Sequence, residues 1–201
     1  MKNTSAVQFV VWYDESYMNA WKTLSSEYVH ENPWYKVRHD SVIRPNGTKG
    51  NYFVIESPKA AFTIAVTSDS KILLVSVHRY TTGHAGWEVP GGGFEAGDTA
   101  LMAARRELQE ESGYTANTWH DLGMVEIANG TTDGAGAVFV AKDLQPTGAN
   151  AQDEEGIGEC RAFTEKEVIT MIESGKIVDA VSIAALMKYF IWRGTWKESK
   201  I

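Results

Sequence analysis

Runs of apolar and β-branched residues, bounded by turn residues, predict strands in the first half of the chain. Residues 34–44 and 52–56 form two such runs, and the turn sequence Pro45-Asn46-Gly47 between them predicts a hairpin. Residues 15–31 mix polar and aromatic side chains, and we expect a short helix there. Further strands are predicted at residues 60–67, 71–78, 87–90, 121–127, 135–141 and 157–163.

Clear start and stop signals predict one helix in the middle of the chain and two near its C-terminal end. Residues 99–112 are predicted as a helix that starts at Asp98, a good N-cap, and stops at Gly113. A capping-box sequence begins at Thr164 and predicts a helix to position 173. Residues 179–193 have apolar positions at helical spacing and form the last predicted helix. Strands first and helices last indicate a layered α+β fold.

Three glutamates share one face of the helix predicted at residues 99–112. Glu107 and Glu111 are four positions apart and Glu110 lies between them, so all three occupy roughly one quarter of the circumference. Each like-charge pair weakens an isolated helix by roughly a few tenths of a kcal/mol, and a hard divalent cation removes that repulsion. The preceding glycines let the backbone approach closely, and the Gly91 carbonyl can add a ligand. The pattern predicts a metal site.

The alternative for these glutamates is a solvated acidic face, which is the usual meaning of a Glu-rich helix. Three neighbouring features favour the metal site instead. The glycine loop directly precedes the helix, Arg106 flanks Glu110 at i,i+4, and alanines at positions 100, 103 and 104 leave room in front of the carboxylates.

Composition narrows the function classes further. The 201 residues carry a formal net charge of −7, which disfavours nucleic-acid and membrane partners because phosphates are repelled over most of the surface. Cys160 is the one cysteine, so an internal disulfide and a thiolate zinc site are both excluded. The N-terminal sequence lacks the apolar region and cleavage site of a signal peptide, and we expect a cytoplasmic protein.

The segment from Gly92 to Tyr114 is similar to the Nudix box. That motif begins with a glycine, and a glutamate follows after five residues. Seven residues later comes the pattern Arg-Glu-apolar-any-Glu-Glu-any-Gly-apolar. Residues 106–114 match in register, and Asp98 stands where the first glutamate is expected. The resemblance implies an α/β/α sandwich with a mixed sheet between helices. It also implies hydrolysis of a nucleoside diphosphate linked to another group.

The resemblance assigns roles within the box. Glu107, Glu110 and Glu111 would be ligands of Mg²⁺ or Mn²⁺, together with the Gly91 carbonyl. Glu111, Glu107 and Arg106 are the catalytic candidates, and Arg106 would orient the cluster.

Flanking stretches resemble the ADP-ribose pyrophosphatase and nucleotide-sugar branch of the family. The sequence HRYTTGHAGWEVPGGG from position 78, and GKIVDAVSIAALMKYF near the end, are similar to stretches of that group. By this resemblance Arg79 would contact phosphate and Glu88 would assist the metal site and the bound substrate. An acidic loop before the last strand would supply a further catalytic glutamate, Glu154 or Glu155.

The N-terminal residues are expected to serve the hydrolase domain rather than to fold independently. We assign residues 1–56 to an extension with a hairpin and residues 57–201 to the Nudix hydrolase domain. Trp34 and Tyr52 on the hairpin could stack on a nucleotide base, or they could pack within the hairpin or a dimer. Relatives in this branch are often dimers that share the hairpin, so a homodimer is expected.

Two function classes remain after this reasoning. The favoured one is an Mg²⁺-dependent pyrophosphatase for ADP-ribose or another nucleotide sugar, which would release a nucleoside monophosphate and a sugar phosphate. The alternative is a non-catalytic Nudix-fold module that senses a nucleotide sugar. Such modules tend to lose box glutamates, and this chain keeps all three on the helix. A dinucleotide polyphosphate and a modified nucleotide also stay open as substrates.

Overall fold

The structure is a computed structural model that describes residues 21–148, 152 and 156–194. The chain divides into two compact units, Met1–Glu56 and Ser57–Ile201. The part of the helix predicted at residues 15–20 lies outside the described residues, as do Glu154 and Glu155. Within the described ranges, no helix is long and apolar enough to cross a membrane.

The first unit contains a three-stranded antiparallel sheet of β1 (Lys22–Glu31), β2 (Lys36–Ile43) and β3 (Lys49–Glu56), in that order. The predicted hairpin is confirmed as β2 and β3. The helix predicted at residues 15–31 is wrong for residues 22–31, which form β1. Leu24 and Tyr28 are one helical turn apart, but pairing with β2 satisfies the backbone of this segment. The Tyr28 hydroxyl also donates a 2.9 Å hydrogen bond to the Glu56 carboxylate.

The second unit is built on a seven-stranded mixed sheet. Five strands form a path in the order β10-β5-β4-β9-β8, while β6 pairs with β5 and β7 pairs with β4. The β4–β9 pair is parallel and the other pairs are antiparallel. The strands are β4 (Ala60–Val66), β5 (Ile72–Arg79), β6 (His84–Glu88), β7 (Gly91–Gly93), β8 (Tyr114–Glu126), β9 (Ala135–Pro146) and β10 (Ile157–Phe163).

Helices cover both faces of this sheet: α1 (Ala100–Ser112) on one, α2 (Glu165–Glu173) and α3 (Ala180–Arg193) on the other. Alternate residues of β4 meet opposite layers, because successive side chains of a strand point to opposite faces. Ile64 packs in one cluster with Leu186 of α3, whereas Ala65 packs with Leu108 of α1. The predicted α/β/α sandwich with a mixed sheet is confirmed.

Strands β8 and β9 are longer than the sequence predicts. The prediction started at residue 121, but β8 begins at Tyr114, directly after α1, and pairs there with Pro146. Residues 114–120 are mostly half-exposed and lack a clear alternation of apolar and polar side chains, although several of them favour strands. Their strand conformation comes from pairing with β9, which a single run of residues does not reveal.

Candidate active site

The start of α1 differs from the sequence prediction by one residue. Thr99 is the N-cap, and its hydroxyl accepts a hydrogen bond from the Met102 amide. Asp98, the predicted cap, instead accepts from the Glu95 amide at 2.9 Å and lies 3.5 Å from Arg106. The aspartate is drawn into the preceding turn and toward a cation, which leaves the capping position to the threonine. The predicted stop is confirmed, because Gly113 is the C-cap with a left-handed φ of 73°.

The three glutamates of α1 differ in burial. Glu107 and Glu111 are each only 6% exposed, whereas the side chain of Glu110 is 35% exposed. Leu108 and the alanines at positions 103 and 104 are fully buried against the sheet, so α1 sits close to β4. Burying two carboxylates costs free energy unless cations or hydrogen-bond donors compensate them.

Arg106 connects these carboxylates to the glycine loop. Its guanidinium donates to Glu107 at 2.8 Å, to Glu110 at 3.0 Å and to the Gly93 carbonyl at 2.7 Å. Burial lowers the pKa of Arg106, but the charge of Glu107 and the hydrogen bond to Glu110 outweigh that effect and raise its pKa overall. The guanidinium therefore stays charged and holds the two carboxylates against the loop.

The glycine loop lies too close to α1 and β4 for larger residues. The Gly91 amide donates a 2.8 Å hydrogen bond to Glu111 Oε2. A Cβ atom on Gly92 would lie 2.5 Å from the Cδ atom of Glu107. A Cβ on Gly91 would lie 2.5 Å from the backbone oxygen of Ala61. Gly91 thus meets Glu111 through its N–H group, and its carbonyl stays a predicted metal ligand.

The donor set suits a hard divalent cation. When ionised, Glu107, Glu110 and Glu111 bring three negative charges, and Arg106 offsets one of them. Within the described ranges, no three acidic, histidine or cysteine side chains converge on one point that could hold a metal ion. In this arrangement one oxygen each of Glu107 and Glu110 accepts a hydrogen bond from Arg106, and Oε2 of Glu111 accepts one from the Gly91 amide. Mg²⁺ prefers oxygen ligands, and this cluster has more carboxylates than positively charged side chains.

Arg79 of β5 and Glu88 of β6 form a bidentate ion pair, here called the two-pronged pair. Arg79 donates to the two oxygens of Glu88 at 3.0 and 2.6 Å. Hydrogen bonding to Glu88 is the main cause of the raised pKa of Arg79, and the negative charges of Glu111 and Asp179 raise that pKa further. The pair borders a cavity of about 420 Å³ whose other lining residues are Thr81, Thr82, His84, Gly86, Trp87, Val178, Asp179 and Ala180.

The remaining predicted site residues belong to the first unit or fall outside the described residues. Trp34 and Tyr52 belong to the first unit. Trp34 is 75% exposed between β1 and β2, and Tyr52 packs edge-on against Trp21 with ring centroids 5.6 Å apart. The acidic-loop candidates fall outside the described residues. Cys160, the free thiol, is half-buried in β10, and burial raises its pKa to about 11.

Sequence reasoning missed the connection between α3 and the glycine loop. Asp179 is the N-cap of α3 and accepts a 2.7 Å hydrogen bond from the Ser182 amide. The Ser182 hydroxyl accepts from the Val89 amide, two residues before Gly91. The only signal in the sequence is the capping residue at the start of the last helix, and it does not indicate a partner 93 positions away.

Comparison with known proteins is consistent with this geometry. Residues 57–186 match the NUDIX domain, and residues 21–55 match the nucleoside diphosphate sugar hydrolase N-terminal domain. An ADP-ribose pyrophosphatase of Mycobacterium tuberculosis is 31% identical over 168 residues, which is 83% of this chain and 81% of that protein. An ADP-ribose pyrophosphatase of Bacillus subtilis is 28% identical over 166 residues, 82% of this chain and 90% of that protein.

A solved structure, the crystal structure of ADP compounds hydrolase, has the same fold. Its TM-score is 0.78 at 21% sequence identity, and the match covers 88% of this chain and 96% of that one. The NUDIX match spans more than half of the chain and contains the sheet, the glycine loop and α1 with its glutamates. This chain belongs to the Nudix hydrolase family.

Proposed function

We propose that the protein hydrolyses the diphosphate linkage of a nucleotide sugar, with ADP-ribose as the first candidate, to a nucleoside monophosphate and a sugar phosphate. The observation that carries the proposal is the cluster on α1. Two buried glutamates, Glu107 and Glu111, lie against a glycine loop, and Arg106 connects that loop to Glu107 and to the more exposed Glu110. The names of the relatives in Mycobacterium tuberculosis and Bacillus subtilis support the choice of substrate.

Nudix hydrolases generally need a divalent metal ion. Here we propose Mg²⁺, with Mn²⁺ as a substitute, held by Glu107, Glu110, Glu111 and the Gly91 carbonyl. The bound ions would offset the charge of the diphosphate and assist the attack of water on phosphorus. A carboxylate cluster with excess negative charge supports this assignment, because hard cations take oxygen ligands.

The protein's own side chains would bind and orient the substrate. Arg79 would hold a phosphate oxygen, since a guanidinium presents several donors in a fixed plane. Glu88 would keep that guanidinium in place through the two-pronged pair. Arg106 would keep Glu107 and Glu110 oriented. The proton of the attacking water would pass to a carboxylate of the acidic loop, Glu154 or Glu155.

The first unit has a separate proposed role. It exposes Leu24, Tyr28 and Val29 on β1, Phe53 on β3 and Trp34 between β1 and β2, each at least 47% exposed. Exposed apolar side chains in that number are typical of an interaction surface. We propose that residues 1–56 mediate a homodimer and that Trp34 and Tyr52 contribute to nucleotide binding. A sedimentation measurement that gives a monomer, together with unchanged activity of Trp34→Ala, would contradict this part.

The test of the activity is a panel of nucleotide sugars incubated with Mg²⁺ or Mn²⁺, followed by detection of the released monophosphate. We expect turnover of ADP-ribose or a close analogue, and Glu111→Gln should lower kcat at least about a hundredfold. The matched control is Glu173→Gln, at the exposed end of α2, which should leave kcat unchanged.

Each outcome has a distinct meaning. Near-normal kcat of Glu111→Gln in excess Mg²⁺ would overturn the role of that glutamate. Binding of nucleotide sugars without release from any diphosphate in the panel would favour the alternative, a sensor module. Release from a dinucleotide polyphosphate alone would keep the reaction class and change the substrate.

A further inference from the structure

The strap formed by Val89, Pro90 and Gly91 crosses from the α3 side of the sheet to the α1 side. The Val89 side chain is buried in the core cluster that contains Leu186 of α3. Two residues later, the Gly91 amide reaches Glu111 of α1. The strap therefore connects the two helical layers directly beside the glutamate cluster.

The strap is fixed by hydrogen bonds from both of its neighbours. On one side the Val89 amide donates to the Ser182 hydroxyl at 3.1 Å, and on the other the Thr63 amide donates to the Pro90 carbonyl at 2.8 Å. Ser182 is only 1% exposed and Val89 only 4%, so water does not readily replace the hydroxyl. A buried amide that loses its acceptor pays the full cost of desolvation, and the strap would shift to find another partner.

Ser182 is itself held in place by the start of α3. Its amide donates to the N-cap carboxylate of Asp179 at 2.7 Å, which fixes the first turn of the helix. The helix cap therefore sets the position of the Ser182 hydroxyl, and the hydrogen bond from the Val89 amide to that hydroxyl fixes the strap.

We propose that Ser182 is a positioning residue for the reaction: its hydroxyl fixes the strap so that the Gly91 amide orients the Glu111 carboxylate. The inference rests on the proposed function, since it assigns Ser182 a part in that site. Ser182 touches neither substrate nor reacting atoms in this scheme and acts through Val89 and Gly91. Because a small misplacement of a catalytic group can cost about a hundredfold in rate, a single lost hydrogen bond here has a kinetic consequence.

The variant that tests this is Ser182→Ala, assayed at a temperature where it is folded. We expect kcat to fall at least about tenfold with KM changed less than about threefold, because remote substrate contacts are untouched. Ser182→Thr keeps the hydroxyl and should restore kcat to within about threefold. Ser182→Cys fills the same space with a weak acceptor and should lie between them, which provides a folded variant if alanine destabilises the core.

Two readouts do not depend on turnover. Titration of the substrate-free protein with Mn²⁺ alone should show binding weakened about tenfold in Ser182→Ala, as expected when an indirect partner of a ligand is lost. The amide proton resonance of Gly91 should move in Ser182→Ala and return in Ser182→Thr. The control is Thr164→Ala, which removes the N-cap of α2 and lowers stability, but should change neither kcat nor Mn²⁺ binding.

The inference would be overturned if Ser182→Ala had the same kcat, the same Mn²⁺ affinity and the same Gly91 resonance as the wild-type protein. It would also be overturned if Thr164→Ala lost as much kcat and Mn²⁺ affinity as Ser182→Ala, because the losses would then reflect lower stability in general. If the wild-type protein turns over no diphosphate, the proposed function fails, while Mn²⁺ binding and the Gly91 resonance still decide whether Ser182 positions the glutamate.

Discussion

The amide of Gly91 donates a hydrogen bond of 2.8 Å to Glu111 Oε2, between residues 20 positions apart in the chain. The next glycine, Gly92, leaves the space in which the Glu107 carboxylate lies. The loop therefore contacts the two buried glutamates differently. Gly91 donates its amide hydrogen to Glu111, and Gly92 makes room for Glu107 because it has no side chain. This difference leads to different expectations for the two glycines.

Gly92→Ala should abolish most activity and leave the fold intact. The new Cβ would lie 2.5 Å from Cδ and Oε1 of Glu107, and the flexible end of that side chain can rotate away without moving backbone. We expect kcat to drop about a hundredfold and the melting temperature to change little, as measured by steady-state kinetics and calorimetry. Gly158→Ala in β10 is the control, because its Cβ meets nothing closer than 3.9 Å.

Gly91→Ala should behave differently, since its Cβ would meet the rigid backbone oxygen of Ala61 at 2.5 Å. Here β4 and β7 must separate, and we expect a clear loss of thermal stability. Equal melting temperatures for the Gly91 and Gly92 variants would contradict this distinction.

Arg79→Lys should weaken substrate binding more than it slows the reaction. Lysine keeps the charge but cannot make the two-pronged pair with Glu88, so the cation would no longer be held in one orientation. We expect KM to rise about tenfold with a smaller change in kcat. Arg105→Lys, an exposed arginine of α1 that stacks on Trp119, is the matched control. A rise in KM of the same size in that control would show that the effect is not specific to Arg79.

Thr99→Ala should destabilise the protein more than Asp98→Asn does. The threonine hydroxyl caps α1, and its loss costs about 1 kcal/mol in the free energy of unfolding. Asparagine at position 98 keeps an acceptor for the Glu95 amide and loses only the 3.5 Å ionic contact with Arg106. Urea denaturation of both variants measures the order, and the reverse order would restore Asp98 as the functional cap.

His39 should titrate above its ordinary value, and Glu27 is the principal cause. The hydrogen bond from His39 to the Glu27 carboxylate raises the pKa of His39 from 6.5, with a smaller contribution from Asn51. The protonated imidazole therefore stabilises the folded β1–β2 pair. That stabilisation is complete below pH 6.5 and is lost as the pH rises through the raised pKa of the folded state.

Histidine resonances followed by NMR against pH measure this directly. Glu27→Gln should lower the pKa of His39 toward 6.5. Glu31→Gln, which removes a carboxylate of the same strand that pairs with Lys36, should leave it where it is. An unchanged His39 titration in Glu27→Gln would contradict the assignment.

The elements predicted from the sequence are those whose signals are local. The capping box of α2, the glycine after α1 and the Pro45-Asn46-Gly47 turn each act within a few residues, and these predictions are confirmed. The errors concern pairing. Residues 22–31 were expected to be helical but pair with β2, and residues 114–120 extend β8 because β9 lies beside them. A strand depends on a partner far along the chain, which local composition does not specify.

The sequence by itself determined that Glu107, Glu110 and Glu111 share one face of a helix, because the helical period follows from backbone geometry alone. The order of the predicted elements also indicated a layered α+β fold. That helices cover both faces of the sheet was implied by the resemblance to the Nudix box rather than by the pattern of the strands. Only the tertiary structure decided which glutamates are buried, that the Gly91 amide binds Glu111, and that Ser182 holds Val89. These contacts join residues 20 and 93 positions apart, and packing of the sheet between its helices is what brings them together.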